Sequence, residues 1–183
     1  MHSDLGSMFF PVQAATDIRL LVLDVDGVLT DGGLYYDLQN QVMKRFDVQD
    51  GLGIRIAQQA GITVAVITGL VSRAVEIRVR ELGISDYYAG YLDKRACLEE
   101  IRTRYSLKWE QMAYLGDDWV DLSVMDMVGL PLAVANAQPE VKHIANYVTT
   151  AKGGQGAVRE VIRHLLMAQG QYEAVVAAWS QPC

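Results

Sequence analysis

Apolar residues along this 183-residue chain fall into short runs whose period switches between two and about three and a half. Ile18-Arg-Leu-Leu-Val-Leu23 is a β-rich apolar run that stops at Asp24, the pattern of a strand buried on both faces. Ile62–Ile67 and Met112–Leu115 repeat it, and 87–91, 131–134 and 147–149 are weaker strand candidates. Helical spacing covers Leu52 to Ala60, then Val71 to Leu82, where Val71, Val75, Val79 and Leu82 share one face. It returns over Lys94 to Tyr105, with Leu98, Ile101 and Tyr105 inward, over Val120–Val128, over Glu140–Ala145, and from Gly153-Gly154-Gln155-Gly156 to about Gln169. Gly61 and Gly83 close two of these helices. Between Gly33 and Asp47, the β-formers Tyr35, Tyr36, Val42 and Phe46 flank a polar centre, Asp37–Gln41, which predicts a β-hairpin over 33–47.

Strands that alternate with helices of this length predict crossovers and hence parallel pairing. The expected fold is α/β, a Rossmann-like doubly wound parallel sheet with a β-hairpin insertion and no large cap domain. Residues 1–16 show no steady period and read as a flexible leader. Residues 17–169 form the domain, and 170–183 a small, apolar tail.

An apolar share of 51% excludes disorder as the main state, and no run reaches the ~18 apolar residues of a membrane helix. Net charge is −6 without a Lys/Arg cluster, so neither nucleic acid nor membrane is an expected partner. Cys97 and Cys183 read as free thiols in a reducing cytoplasm, and the first residues lack the basic start and apolar core of a secretory signal.

Four polar motifs stand where strands end, the position at which doubly wound sheets bind ligands. Asp24-Val-Asp26-Gly-Val-Leu-Thr30-Asp31 places two acids at the exit of a buried strand, which is costly unless a cation compensates; a lone Asp-x-Asp equally suits a loop cap. Thr68-Gly69 offers a hydroxyl and free N–H groups before a helix, suited to a phosphoryl oxygen or simply to starting that helix. Lys94 opens a helix, where the dipole disfavours a cation, so either an anion or solvent is its partner. In Gly116-Asp117-Asp118-Trp-Val-Asp121, Asp118 and Asp121 share one side of a helix start, as capping groups or as ligands.

Taken together and in this order, the four motifs resemble the haloacid-dehalogenase-like superfamily of phosphohydrolases, from about Leu20 to Leu166. The resemblance implies a nucleophile at Asp24, a general acid/base at Asp26, and Mg²⁺ on Asp24, the Asp26 carbonyl and Asp117. It also implies that Thr68, Gly69 and Lys94 hold the phosphoryl oxygens, with Asp118 and Asp121 as metal ligands or as supports for them. The intervals 31–68 and 68–94 are too short for a large cap. An open site then calls for a large substrate or a neighbouring subunit as lid.

Five segments narrow the resemblance to the capless tetrameric 3-deoxy-D-manno-octulosonate 8-phosphate phosphatases. They are 26–32, Phe46-x-x-x-Asp50-Gly51-x-Gly53-Ile54, Gly116-Asp117-Asp118, Val134-Ala-Asn136-Ala, and Gly153-Gly-x-Gly156-Ala-Val-Arg159-Glu. This implies a phosphosugar substrate in lipopolysaccharide precursor synthesis, a cytoplasmic homotetramer, and neighbouring subunits over each site. The hairpin, the glycine-rich segment and the tail are the surfaces expected to reach a neighbour. One departure stands out: the family commonly has Arg after Thr-Gly, a partner for the substrate carboxylate, and this chain has Leu70. Arg73, Arg78 and a neighbour's Arg159 are the cations available in its place. A nonulosonate 9-phosphate is the alternative substrate, and a non-catalytic module of the same fold the alternative class.

Overall fold

The computed structural model describes residues 9–180; the expected leader up to residue 8 and the end of the expected tail, Cys183 included, lie outside them. The central sheet holds β1 (Leu20–Leu23), β4 (Thr63–Thr68), β5 (Asp86–Ala89), β6 (Met112–Gly116), β7 (Leu130–Ala133) and β8 (Tyr147–Val148). Their order is β5-β4-β1-β6-β7-β8, and every neighbouring pair is parallel. The first crossover leaves β1 towards β4, whereas β6 lies on the other flank of β1. The chain thus diverges at the carboxyl ends of β1 and β6, where such sheets open a crevice. Every residue of β1 and β6 is buried, which is why their sequences are continuous apolar runs rather than alternations.

The expected hairpin is present as β2 (Tyr35–Tyr36) and β3 (Val42–Met43), antiparallel and only two residues long each. Asp37 makes its turn by accepting from the backbone N–H groups of Gln39 and Gln41. Its apolar side chains gain little cover in the single chain: Leu34, Tyr35, Tyr36 and Met43 are exposed.

Helix α2 (Val48–Gln59) begins before the Leu52 expected from periodicity. The cause is Asp47, whose carboxylate caps the N–H groups of Gln49 and Asp50. Asp50 then turns inward and accepts from the N–H groups of Gly156 and Arg159, so one buried carboxylate caps the start of α7 (Ala157–Ala168). Burial raises the Asp50 carboxyl to about 6, against the pull of those N–H groups. Helices α2 and α7 pack against each other over the sheet.

Between α2 and α7 come the α-helices α3 (Arg73–Glu81), α4 (Arg95–Arg104), α5 (Leu122–Met125) and α6 (Pro139–Ile144). Val71 does not join the buried face of α3: the helix starts at Arg73, and Val71 stands exposed in the preceding loop. Tyr105 lies past the end of α4, partly exposed, with its hydroxyl donating to Asp86.

The ends of the described chain are more ordered than an aperiodic leader and tail imply. Residues 9–16 include α1 (Val12–Ala15), with Ala15 buried. Phe10 stacks on His164 of α7 at 4.6 Å and meets Tyr147 edge-on. Residues of the expected tail form α8 (Tyr172–Ser180), with Tyr172 and Val175 against the core and Trp179 exposed. A four-residue helix and a nine-residue helix carry too little period to be read locally; their order comes from docking on α7.

Candidate active site

Asp24 follows β1 and continues its ladder, its N–H donating to the carbonyl of Leu115 on β6. The loop after it is closed by Thr30, whose hydroxyl donates to the Val25 carbonyl and accepts from the N–H groups of Gly27 and Gly32. Gly27 has φ +94°, and a Cβ there would stand 2.0 Å from Asp117 Oδ2, so only glycine lets the two loops approach.

Lys94, just before α4, is fully buried. Its Nζ donates to Asp24 Oδ1 (2.5 Å), Asp121 Oδ1 (2.7 Å) and the Tyr114 hydroxyl (3.0 Å). This answers the question of its partner: anions, not solvent. Burial works against its charge, and Asp24 and Asp121 outweigh burial and raise its pKa.

Asp117 follows β6. Its Oδ1 is buried without a hydrogen-bond partner among the described residues. Oxygens of Asp24, Asp117 and Asp121 lie within 4.8 Å of one another. Burial lifts Asp24 to about 7, lowered somewhat by Lys94 and raised by Asp121. Burial, then the charges of Asp24 and Asp121, lifts Asp117 to about 8. Three carboxylates facing one ammonium leave a deficit of positive charge, and Asp117 Oδ1 is an oxygen with nothing to bind. Hard oxygen donors in that state fit a magnesium ion.

Asp121 is placed differently from Asp117. Its Oδ1 accepts from Lys94 and Tyr114, and its Oδ2 from the N–H groups of Asp117 and Asp118. Four donors on two oxygens make it a brace for the cluster. Asp118 is exposed and caps the turn Trp119–Asp121 through the Trp119 N–H.

Comparison with known proteins decides what this cluster belongs to. The family model described as haloacid dehalogenase-like hydrolase matches residues 83–162. The 3-deoxy-D-manno-octulosonate 8-phosphate phosphatase of Yersinia pestis is 46% identical over 162 residues, 88% of this chain and 87% of that protein. The chain belongs to the haloacid dehalogenase-like hydrolases. The phosphatase of the same description from Escherichia coli K12 is 44% identical over 176 residues, 93% of this chain and 94% of its own length. Among solved structures of this hydrolase family, the octulosonate 8-phosphate phosphatase of Moraxella catarrhalis, in complex with magnesium, phosphate and KDO, superposes with a TM-score of 0.90. It is 38% identical and covers 92% of this chain and 97% of that one.

The other expected site residues of this hydrolase divide into two groups. Thr68 ends β4, buried, and its Oγ1 accepts from the Leu70 N–H, with Gly69 between them. Arg73 stands on the exposed side of α3, paired with Glu76. Arg78 contacts the Asp47 carbonyl and Glu81. Arg159 lines a groove between α2, α7 and α8 together with Trp179, and the expectation for it concerns a neighbouring subunit's site. Of the three arginines, Arg73 lines the same cleft as the half-exposed Leu70, and Arg78 and Arg159 do not.

The glycine-rich segment, expected to reach towards a neighbour, packs its first two glycines on its own chain. A Cβ on Gly153 would lie 1.7 Å from the Gly27 carbonyl oxygen, and the Gly154 N–H donates to the Val28 carbonyl. The segment therefore buttresses the loop after Asp24 in its own chain. Asn136 joins the two, accepting from the Gly153 N–H at 2.7 Å and donating to the Gly27 carbonyl at 3.1 Å.

Sequence reasoning missed two residues here, Lys44 and Tyr114, and held Asn136 only as part of a matching segment, without a role. Lys44 reaches Asp26 from the hairpin and lines a cleft of ≈ 490 Å³ with Leu34, Tyr36, Leu70 and Arg73. A lysine within a β-rich hairpin and a tyrosine within a wholly buried strand were the available signals.

Proposed function

We propose that this protein is a Mg²⁺-dependent phosphatase that hydrolyses 3-deoxy-D-manno-octulosonate 8-phosphate to the free sugar acid and phosphate. Its place is lipopolysaccharide precursor synthesis in the cytoplasm. The observation that carries the reading is Asp24 at the exit of β1, gripped by Lys94, beside Asp26 and Asp117, in a chain alignable almost end to end with phosphatases of that name.

A carboxylate oxygen of Asp24 attacks phosphorus, and the bond to the sugar oxygen breaks to leave an aspartyl-phosphate. Asp26 gives its proton to the departing oxygen. Asp26 then takes a proton from water, the hydroxide attacks phosphorus, and Asp24 is released with inorganic phosphate. Thr68 and the N–H groups after it orient the phosphoryl oxygens, and Lys94 balances charge on the nucleophile. Asp24, Asp117 and the Asp26 carbonyl are the groups that would hold Mg²⁺, which supplies positive charge where two anions must meet.

The exposed hairpin, with Leu34, Tyr35 and Tyr36 uncovered, supports a homotetramer in which neighbours cover each site, tested by light scattering. A second reading of the substrate is a nonulosonate 9-phosphate, which carries a carboxylate as the eight-carbon sugar does, so Leu70 beside Thr68 bears on both alike. Phosphate release from both sugar phosphates, with and without Mg²⁺, separates the two. Faster turnover of the eight-carbon substrate supports the first reading. Activity that survives Asp24→Ala sinks the mechanism.

A further inference from the structure

We propose that Tyr114 is a positioning residue for phosphoryl transfer, its hydroxyl locking Lys94 and Asp121 together so that Lys94 stays on Asp24. The inference rests on the phosphatase reading above. Tyr114 lies in the middle of β6, fully buried, between residues that are all apolar or glycine. A phenylalanine would meet the packing needs of that place, and a hydroxyl buried there is costly unless bonded. The hydroxyl makes two bonds, at 2.7 Å to Asp121 Oδ1 and at 3.0 Å to Lys94 Nζ.

Chemistry fixes the direction of both. An ammonium has three donors and no acceptor, and an ionised carboxylate only accepts. Lys94 therefore donates to the phenol oxygen, and the phenol hydrogen goes to Asp121. The three N–H bonds of Lys94 are then all assigned, to Asp24, Asp121 and Tyr114. These partners come from the end of β1, the turn before α5, and β6, so the ammonium is held from three elements at once. Without the hydroxyl, one N–H bond has no acceptor and Asp121 Oδ1 loses one of its two donors. Lys94 is then free to shift from Asp24 towards Asp121. The consequence falls on the attack by Asp24 and not on substrate binding, because Tyr114 lies beneath the site and touches no substrate.

The test is Tyr114→Phe in the Mg²⁺-loaded enzyme, alone and in an Asp121→Asn background. The expected result is a fall in kcat of about tenfold, the scale of one lost charge-assisted hydrogen bond, with KM within about twofold. Rapid-quench measurement places the fall in formation of the aspartyl-phosphate. In the Asp121→Asn background the same change has a smaller effect, because the lock is already open. An unchanged kcat, a loss confined to melting temperature, or an equal factor in both backgrounds overturns the proposal. A measurement on the wild-type protein decides the matter if the variant does not fold: NMR should show a slowly exchanging Tyr114 hydroxyl proton in contact with the Lys94 ammonium, and its absence overturns the lock. Wild-type enzyme that releases no phosphate from any sugar phosphate refutes the phosphatase reading instead.

Discussion

Lys44 Nζ lies 2.5 Å from Asp26 Oδ1, and the lysine side chain is almost wholly buried beneath the hairpin that carries it. The hairpin therefore does more than offer an exposed apolar face. It delivers a cation to the proposed general acid/base, whose other oxygen, Oδ2, has no hydrogen-bond partner among the described residues. One oxygen is anchored and the other is left for the reacting groups.

Lys44→Met removes that anchor while keeping the stem. Asp26 then loses its fixed rotamer, and kcat should fall by about tenfold or more, since general acid–base catalysis contributes on the order of 10²–10⁴ and depends on placement. Steady-state kinetics on the sugar phosphate check this. A kcat equal to wild type would show that Asp26 is oriented by something else.

Lys94→Met should destabilise the protein by about 3–5 kcal/mol, because Asp24 and Asp121 are left buried without their counter-charge. Urea titration measures it. Adding Asp24→Asn to the same chain should recover part of the loss, a coupling that independent sites would not show.

The pH response follows from three raised carboxyls, Asp50 at about 6 and two at the site. Asp24 and Asp117 titrate at about 7 and about 8 in the metal-free fold, against 3.8 in an ordinary carboxyl. Between those values the folded protein holds more protons than the unfolded chain. Metal-free stability therefore falls as pH rises from about 4 to about 8 and levels off above. Mg²⁺ competes with the same protons, so its apparent affinity rises through the upper part of that window. The melting-temperature gain on adding Mg²⁺ should be larger at about pH 8 than at about pH 6. Equal gains at both would contradict the assignment of these carboxylates to the metal.

Gly153→Ala places a methyl group on the Gly27 carbonyl and should cost about 1–3 kcal/mol or more, with activity lost as the loop after Asp24 shifts. Asn136→Ala removes both amide bonds of the same bridge and should cost about 1–3 kcal/mol. Denaturation curves and kcat of the two variants should move together.

The sequence by itself determined the sheet and the chemistry at its edge. A strand buried on both faces must be continuously apolar, so β1, β4 and β6 could be read directly, and an acid that ends such a run, as Asp24 does, stands out because burial there is costly. Thr68, Lys94 and Asp117 were legible for the same reason: each interrupts a pattern at a strand exit or helix start.

Only the tertiary structure decided who holds whom. Lys44 meets Asp26 across 18 positions of sequence, and Asn136 meets Gly27 across 109. Tyr114 was indistinguishable from a core aromatic until Lys94 and Asp121 closed on its hydroxyl. Asp50 lies beside Gly51 ahead of a helical run, yet it caps a helix more than a hundred residues away. Hydrophobic period is a local quantity, set by which face of an element meets the core. A buried hydrogen bond between distant side chains has no period. It exists only where folding has removed water and left one donor within reach of one acceptor.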